Sequence, residues 1–207
     1  MATHYKYIIG VDEAGRGSLA GPVSTGVVLV PVNFNWEKLP GVGDSKALSE
    51  KRREAVYGAA EALAMTAGIV PTVVFKTAKQ IDKQGIAVVI KEALAEGVAK
   101  VIAKVGAKPE ECLILLDGGL KAPDFYLYQQ TIVKGDAKEF VIGLASIYAK
   151  VTRDAYMIAL AKKKAYAPYD FSTHKGYGTK VHREAIIKNG LSNEHRVSFC
   201  RNVLEEN

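Results

Sequence analysis

Asp12 and Glu13 stand side by side where an apolar run, YKYIIGV, gives way to a glycine-rich stretch, AGRGSLAGP. A third acid, Asp117, closes a second apolar run, CLILLD, at residues 112–117. A carboxylate at the end of a buried strand costs desolvation energy unless positive charge meets it, and converging carboxylates raise one another's pKa unless a cation lies among them. A divalent ion resolves both problems. With no His or Cys spacing beside these acids, the set suits Mg²⁺ or Mn²⁺, which prefer oxygen ligands and keep waters, better than zinc. Two such ions about 4 Å apart activate an attacking water and stabilise the leaving oxygen in phosphodiester cleavage. Taken singly, each acid reads as a turn residue or a strand cap; DEAGRG and LLDGG together favour a site.

The elements that must position these acids follow from the apolar pattern. Residues 5–12 and 21–31 are β-branched or aromatic runs separated by glycine-rich punctuation, and they predict two strands joined by a loop. Ser49 precedes Glu50 to Arg53 as an N-cap would precede an amphipathic helix, and a strand is expected over 68–75. From Thr77 to about Val105 the apolar spacing is helical, with Gly85 and Gly97 as weak points, so one broken helix or two are expected. CLILLD predicts a strand, TIV at 131–133 a short one, and 139–164 a long helix. Residues 165–207 are rich in Tyr, His, Lys and Gly around a helix expected at 179–189. This order is that of an α/β protein with a mixed sheet, and ligand sites in such sheets collect at strand ends.

The chain has 207 residues, 48% hydrophobic and 24% charged, which is the composition of an ordinary globular protein. Its net charge of +6 favours a polyanionic partner without requiring one. Cys112 and Cys200 show no metal-ligand spacing, and a reducing, cytoplasmic setting is the default expectation. The stretch MATHYKYIIGVDE meets Asp12 before a signal-peptide core could form, and no apolar run is long enough for a membrane span.

Six collinear segments make the chain resemble the type 2 ribonucleases H, specifically bacterial ribonuclease HII. They are GVDEAGRGSLAGPV (10–23), GDSKALSEKRRE (43–54), LLDGG (115–119), KGDAKEF (134–140), ASIYAKVTRD (145–154) and THKGYGTKVHREAIIKNGLSNEHRVSF (173–199). The resemblance implies a ribonuclease H-like fold, a mixed β-sheet flanked by helices, with a catalytic core over 1–164 and a small helical substrate-binding extension over 165–207, in one compact unit. It implies hydrolysis of the RNA strand of RNA/DNA hybrids and nicking 5′ of single ribonucleotides in duplex DNA, leaving 3′-hydroxyl and 5′-phosphate ends. It makes Asp12, Glu13, Asp117 and Asp136 the catalytic, metal-binding carboxylates for Mg²⁺ or Mn²⁺. It assigns Gly15, Arg16 and Gly17 to sensing the ribose 2′-hydroxyl through backbone groups, and Tyr177 to stacking on the neighbouring sugar. A monomer is expected from the resemblance alone.

These roles accord with physical chemistry. The 2′-hydroxyl separates RNA from DNA, and glycine lets a backbone approach closely enough to read it. Adjacent residues of a regular strand point to opposite faces, so Asp12 and Glu13 are expected to leave β geometry at that point, with Gly15 and Gly17 supplying the departure. Asp136 and Asp154 lie eighteen residues apart, flanking one expected helix; at about 27 Å of helix axis they cannot share one metal pair. Asp136, just after a strand, is the choice, and Asp154 is expected to pair with Arg153, Lys150 or another basic group. Lys46, Lys175 and Lys180 are candidate phosphate contacts, each equally readable as a solvated charge except Lys46, where the DSK motif favours function. His174, His182 and His195 fit no zinc pattern.

Two positions depart from the family pattern: Ser18 where proline is usual after GRG, and Gly119 where DGN is usual. A nucleic-acid-binding protein without activity is the competing reading, against which the intact acid set counts. A nucleotide-binding phosphate loop fails because GRGSLAG lacks the GK[ST] ending.

Overall fold

The computed structural model describes residues 5–42, 48–64 and 66–205. Its five-stranded sheet has the order β3-β2-β1-β4-β5. Strands β1 (Tyr7–Ala14), β2 (Val23–Pro31) and β3 (Val70–Lys76) form an antiparallel meander, and β4 (Cys112–Asp117) and β5 (Gln129–Ile132) run parallel to β1. The chain returns from β3 to β4 through helices, whereas residues 118–128 join β4 to the parallel β5 without one.

Helix α1 (Glu50–Ala64) begins where Ser49 Oγ accepts from the Arg52 N–H at 3.4 Å, the cap that the sequence predicts. The helical pattern after Thr77 divides at Gly85, whose φ of 85° leaves the helical region, into α2 (Ala78–Gln84) and α3 (Ile86–Val105). Gly97 does not break α3; a Cβ there would lie 2.6 Å from Val27 Cγ2, so the missing side chain lets α3 lie close on β2. The long helix expected at 139–164 is α5 (Phe140–Ala161), and a single turn that the sequence did not announce, α4 (Gly135–Lys138), precedes it. They separate at Glu139, whose backbone is extended. The C-terminal segment holds α6 (Phe171–His174), α7 (Lys180–Asn189) and α8 (Arg201–Glu205).

The strand alternation divides the core between two faces. Ile9, Val11, Ile114 and Leu116 pack with Val89, Leu94, Val98 and Val101 of α3. Val28, Val30 and Leu115 pack with Val141, Ile142, Leu144 and Ala145 of α5. On that second face α5 lies almost in contact with the strand backbones. A Cβ on Gly10 would sit 2.2 Å from the Val141 carbonyl oxygen, and one on Gly26 would sit 2.1 Å from that of Ala145. Two glycines on neighbouring strands thus fix the height of α5 over the end of β1. Among the described residues no helix is long and apolar enough to cross a membrane.

Candidate active site

The carboxylates gather where β1 and β4 end. Strand parity puts Asp12 on the α5 face with Gly10 and Ile8, and Asp117 on the same face with Leu115. Glu13 belongs to the opposite face. The expected departure from β geometry at these acids does not occur: β1 stays paired with β2 through Asp12↔Gly26, Glu13↔Thr25 and Ala14↔Ser24. Pairing with β4 stops earlier, at Val11↔Leu116, so the two acids stand on a strand rim open on one side. The turn begins at Gly15, with φ of 81°, whereas Gly17 has no left-handed φ. Both acids nevertheless line one pocket of about 330 Å³, together with Ala14, Gly15, Asp117, Arg53, Ser146, Lys150 and Tyr177.

Asp12 is 3% exposed. Burial pushes its carboxyl up to about 7; the Glu13 and Asp117 charges add to the rise, while the Ser146 hydroxyl and the Glu13 N–H, 2.7 Å from Asp12 Oδ1, oppose it. Burial also raises Glu13, against the pull of the Arg16 guanidinium at 3.2 Å. Asp117 Oδ1 accepts from the Gly135 N–H at 2.7 Å, which brings the start of α4 against the end of β4. Asp136, 1% exposed, follows in that first turn and is not among the residues lining the pocket.

The remaining predicted residues divide by position. Gly15 is buried in the pocket wall, whereas Arg16 and Gly17, which follow it, are exposed and do not line the pocket. Tyr177 is flanked by cations: Lys150 Nζ and Arg153 Cζ each lie 5.3 Å from its ring centroid. Lys175 sits 3.8 Å from Glu50 and Lys180 is an exposed partner of Glu184; neither lines the pocket. Lys46 lies outside the described residues. Gly119 lines a neighbouring cavity of about 250 Å³ beside Arg16, with nothing within 4 Å of where its Cβ would stand, so an Asn would have room there.

Three polar pocket residues escaped the sequence reading. Ser146 and Lys150 are one helical turn apart on α5 and face the site because Gly10 and Gly26 bring α5 down onto β1 and β2; Arg53 comes from α1. The ASIYAK segment held the signal, since Ser146 and Lys150 share a helix face four residues apart. Asp154 pairs with Lys150 at 2.8 Å, as expected. The histidines converge without a metal pattern. His182 Nε2 lies 3.1 Å from His195 Nε2, the His174 and His182 rings stack at 4.2 Å, and Phe171 packs edge-on against His182. This cluster holds the Tyr177 loop: His174 Nδ1 accepts from the Gly176 N–H at 3.1 Å, and His182 Nδ1 lies 2.9 Å from the Tyr177 carbonyl.

Among the described residues no three or more His, Cys, Asp or Glu side chains stand close enough together to hold a metal ion between them. The pocket offers carboxylate and hydroxyl oxygens from Asp12, Glu13, Asp117 and Ser146, beside the cations Arg53 and Lys150, and holds no His or Cys. That donor set fits a hard divalent ion of the Mg²⁺ class, which completes its shell with waters and substrate phosphate rather than with protein alone.

The family profile of ribonuclease HII matches residues 9–202. Ribonuclease HII of Bacillus thuringiensis strain Al Hakam is 45% identical over 196 residues, covering 94% of this chain and 69% of that protein. The ribonuclease HII in the PCNA complex from Archaeoglobus fulgidus superposes with a TM-score of 0.70 at 26% identity, over 95% of this chain and 96% of that one. Ribonuclease H2 from Pyrococcus horikoshii OT3 gives 0.67 at 26% identity, over 97% and 98%. With its ribonuclease H-like mixed sheet and a sequence match spanning nearly its whole length, the chain belongs to the ribonuclease HII family of nucleases.

Proposed function

We propose that this protein hydrolyses the RNA strand of RNA/DNA hybrids and nicks duplex DNA 5′ of single embedded ribonucleotides, leaving 3′-hydroxyl and 5′-phosphate ends, with two Mg²⁺ or Mn²⁺ ions. The observation that carries this reading is one pocket wall shared by Asp12, Glu13 and Asp117 with Gly15 and Tyr177. Shared lining of this kind supports a reading in which phosphodiester chemistry and recognition of the sugar act on one bound substrate.

Asp12, Glu13 and Asp117 would hold the ions, with Asp136 completing the set from the first turn of α4. When bound, the ions supply an activated water and neutralise charge on the reacting phosphate. The backbone of Gly15, Arg16 and Gly17 reads the 2′-hydroxyl, and Tyr177, held between Lys150 and Arg153, presents its ring to the neighbouring sugar. Lys150 and Arg53 add positive charge at the phosphate, and Lys175 and Lys180 contact the duplex further out. Residues 1–164 form the catalytic core and 165–207 the substrate-binding extension of one compact unit, acting as a monomer. Both cysteines are free and buried, which accords with a reducing, cytoplasmic setting.

The test is cleavage of a labelled DNA duplex carrying one ribonucleotide, beside an all-DNA control, with Mg²⁺, Mn²⁺ or chelator. A metal-dependent nick 5′ of the ribonucleotide, absent from the control and lost in Asp12→Asn, is the expected result. Tight binding without cleavage in either metal would leave a nucleic-acid-binding protein instead.

A further inference from the structure

Behind the glycine-rich loop lie two guanidinium groups sealed from solvent. Arg153 of α5 and Arg196 of the C-terminal segment are both 0% exposed. Neither has a carboxylate within ion-pair distance among the described residues. They are bonded to backbone carbonyls instead. Arg153 donates through Nε to Pro22 at 2.8 Å, through Nη2 to Ala20 at 3.1 Å and through Nη1 to Lys175 at 2.9 Å. Arg196 donates through Nε to Gly21 at 3.0 Å and through Nη1 to Arg16 at 2.9 Å, while its Nη2 is buried without a hydrogen-bond partner.

Two buried like charges are expensive, and an apolar pair would pack the same space more cheaply. What the guanidinium forks achieve is orientation. In a trans peptide the C=O and the following N–H point in opposite directions. Because Arg196 holds the Arg16 carbonyl inward, the Gly17 N–H is turned outward, toward solvent. That N–H has no intramolecular acceptor among the described residues, and Gly17 is exposed with nothing within 4 Å of its Cβ position. Arg153 serves the other side of the same loop. A Cβ on Gly15 would lie 2.0 Å from Arg153 Nε, and the same guanidinium faces the Tyr177 ring and holds the Lys175 carbonyl two residues before it.

We propose that Arg196 and Arg153 are positioning residues for ribose recognition: Arg196 aims the Gly17 N–H at the 2′-hydroxyl, and Arg153 sets Gly15 and Tyr177 at a fixed separation. The inference rests on the ribose-sensing reading given above. A lysine keeps the charge but cannot hold two carbonyls in a fixed fork.

The experiment measures kcat/KM on a duplex with one ribonucleotide, and in parallel the inhibition constant of the all-DNA duplex of the same sequence, for wild type, Arg196→Lys and Arg153→Lys. Both variants are expected to lose about tenfold or more in kcat/KM, as for an oriented hydrogen bond to substrate, while all-DNA inhibition moves less than about twofold. A purely structural role would move both constants together, and that result, or an unchanged kcat/KM, overturns the proposal. A second measurement needs no variant. In wild-type protein with cleavage blocked by chelator, the Gly17 amide proton is expected to be protected from exchange by the ribonucleotide duplex and not by the all-DNA duplex; equal protection by both, or by neither, also overturns it. Failure of the underlying reading looks different, because wild type would then not nick the ribonucleotide duplex at all.

Discussion

Asp117 Oδ1 accepts a 2.7 Å hydrogen bond from the backbone N–H of Gly135, so the acid that ends β4 also anchors the turn carrying Asp136. The bond needs an oxygen at that atom but not a negative charge. Asp117→Asn with its amide oxygen in the same place keeps the α4 anchor and removes one unit of metal-binding charge. Hybrid cleavage is expected to fall about a thousandfold, the rate equivalent of several kcal/mol of lost charge stabilisation, with little change in thermal midpoint. Asp117→Ala loses the anchor too and is expected to lower the midpoint as well. Equal thermal losses in both variants would show that the hydrogen bond does not hold α4.

Asp12 gives a pH dependence whose sign is fixed by burial. Its folded value of about 7 lies above the ordinary carboxylate value of 3.8, so the fold prefers the protonated acid. The stability linked to that preference is complete below the unfolded value and is lost as pH rises through 7. In chelator, Asp12→Asn is expected to be more stable than wild type at pH 8, by about 4 kcal/mol at most, and to match it near pH 4. Urea midpoints of both proteins at the two pH values check this. Divalent metal must displace the same proton, so its affinity is expected to rise with pH through 7.

The strands bearing these acids were readable because YKYIIGV and CLILLD are short apolar runs ended by charge, and the helix break at Gly85 was readable because glycine there follows a complete helical pattern. The geometry of the Asp12–Glu13 pair was not. Its strand continues to Ala14 because β2 pairs alongside, a fact set by a neighbour remote in sequence. The turn α4 is too short to show a period. Lys150 and Ser146 reach the pocket only because α5 settles onto Gly10 and Gly26, a contact between segments more than a hundred residues apart. Arg153 and Arg196 carry no local signal of burial, since arginine in sequence reads as surface.

Ser18, at a position where the family pattern has proline, is fully buried, and its hydroxyl has no hydrogen-bond partner. A buried unsatisfied hydroxyl costs about 1–3 kcal/mol. Ser18→Ala is therefore expected to stabilise the protein by about 1 kcal/mol, seen as a higher urea midpoint with unchanged slope. An equal or lower midpoint would mean that the hydroxyl is satisfied in solution.

His182 and His195 are buried with their Nε2 atoms 3.1 Å apart, and burial, aided by neighbouring imidazole charge, pulls both down to about 4. The fold thus prefers neutral rings. Their contribution to stability is complete above the ordinary histidine value of 6.5 and is lost as pH falls from there through 4, opposite in sign to that of Asp12. An NMR titration of the imidazole Cε1 protons is expected to show both rings still neutral at pH 5.5. Titration of both near 6.5 would mean that the cluster opens to water on the way.

Gly10 and Gly26 offer the sharpest separation of stability from catalysis. A methyl group on either would meet a carbonyl oxygen of α5 at 2.1–2.2 Å, far inside van der Waals contact, so the helix must lift away. Overpacking usually costs about 1–3 kcal/mol, and a clash against backbone belongs at or above the top of that range, still below the roughly 5–15 kcal/mol that holds a domain folded. Lifting α5 also moves Ser146 and Lys150, which line the pocket, and Arg153, which backs the glycine-rich loop. A shift of about 1 Å in groups positioned for chemistry is worth about a hundredfold in rate. Gly26→Ala is therefore expected to remain folded at 25 °C yet lose about a hundredfold in kcat/KM on the ribonucleotide duplex. A variant that loses stability but cleaves at the wild-type rate would show that the height of α5 over the sheet does not set the site.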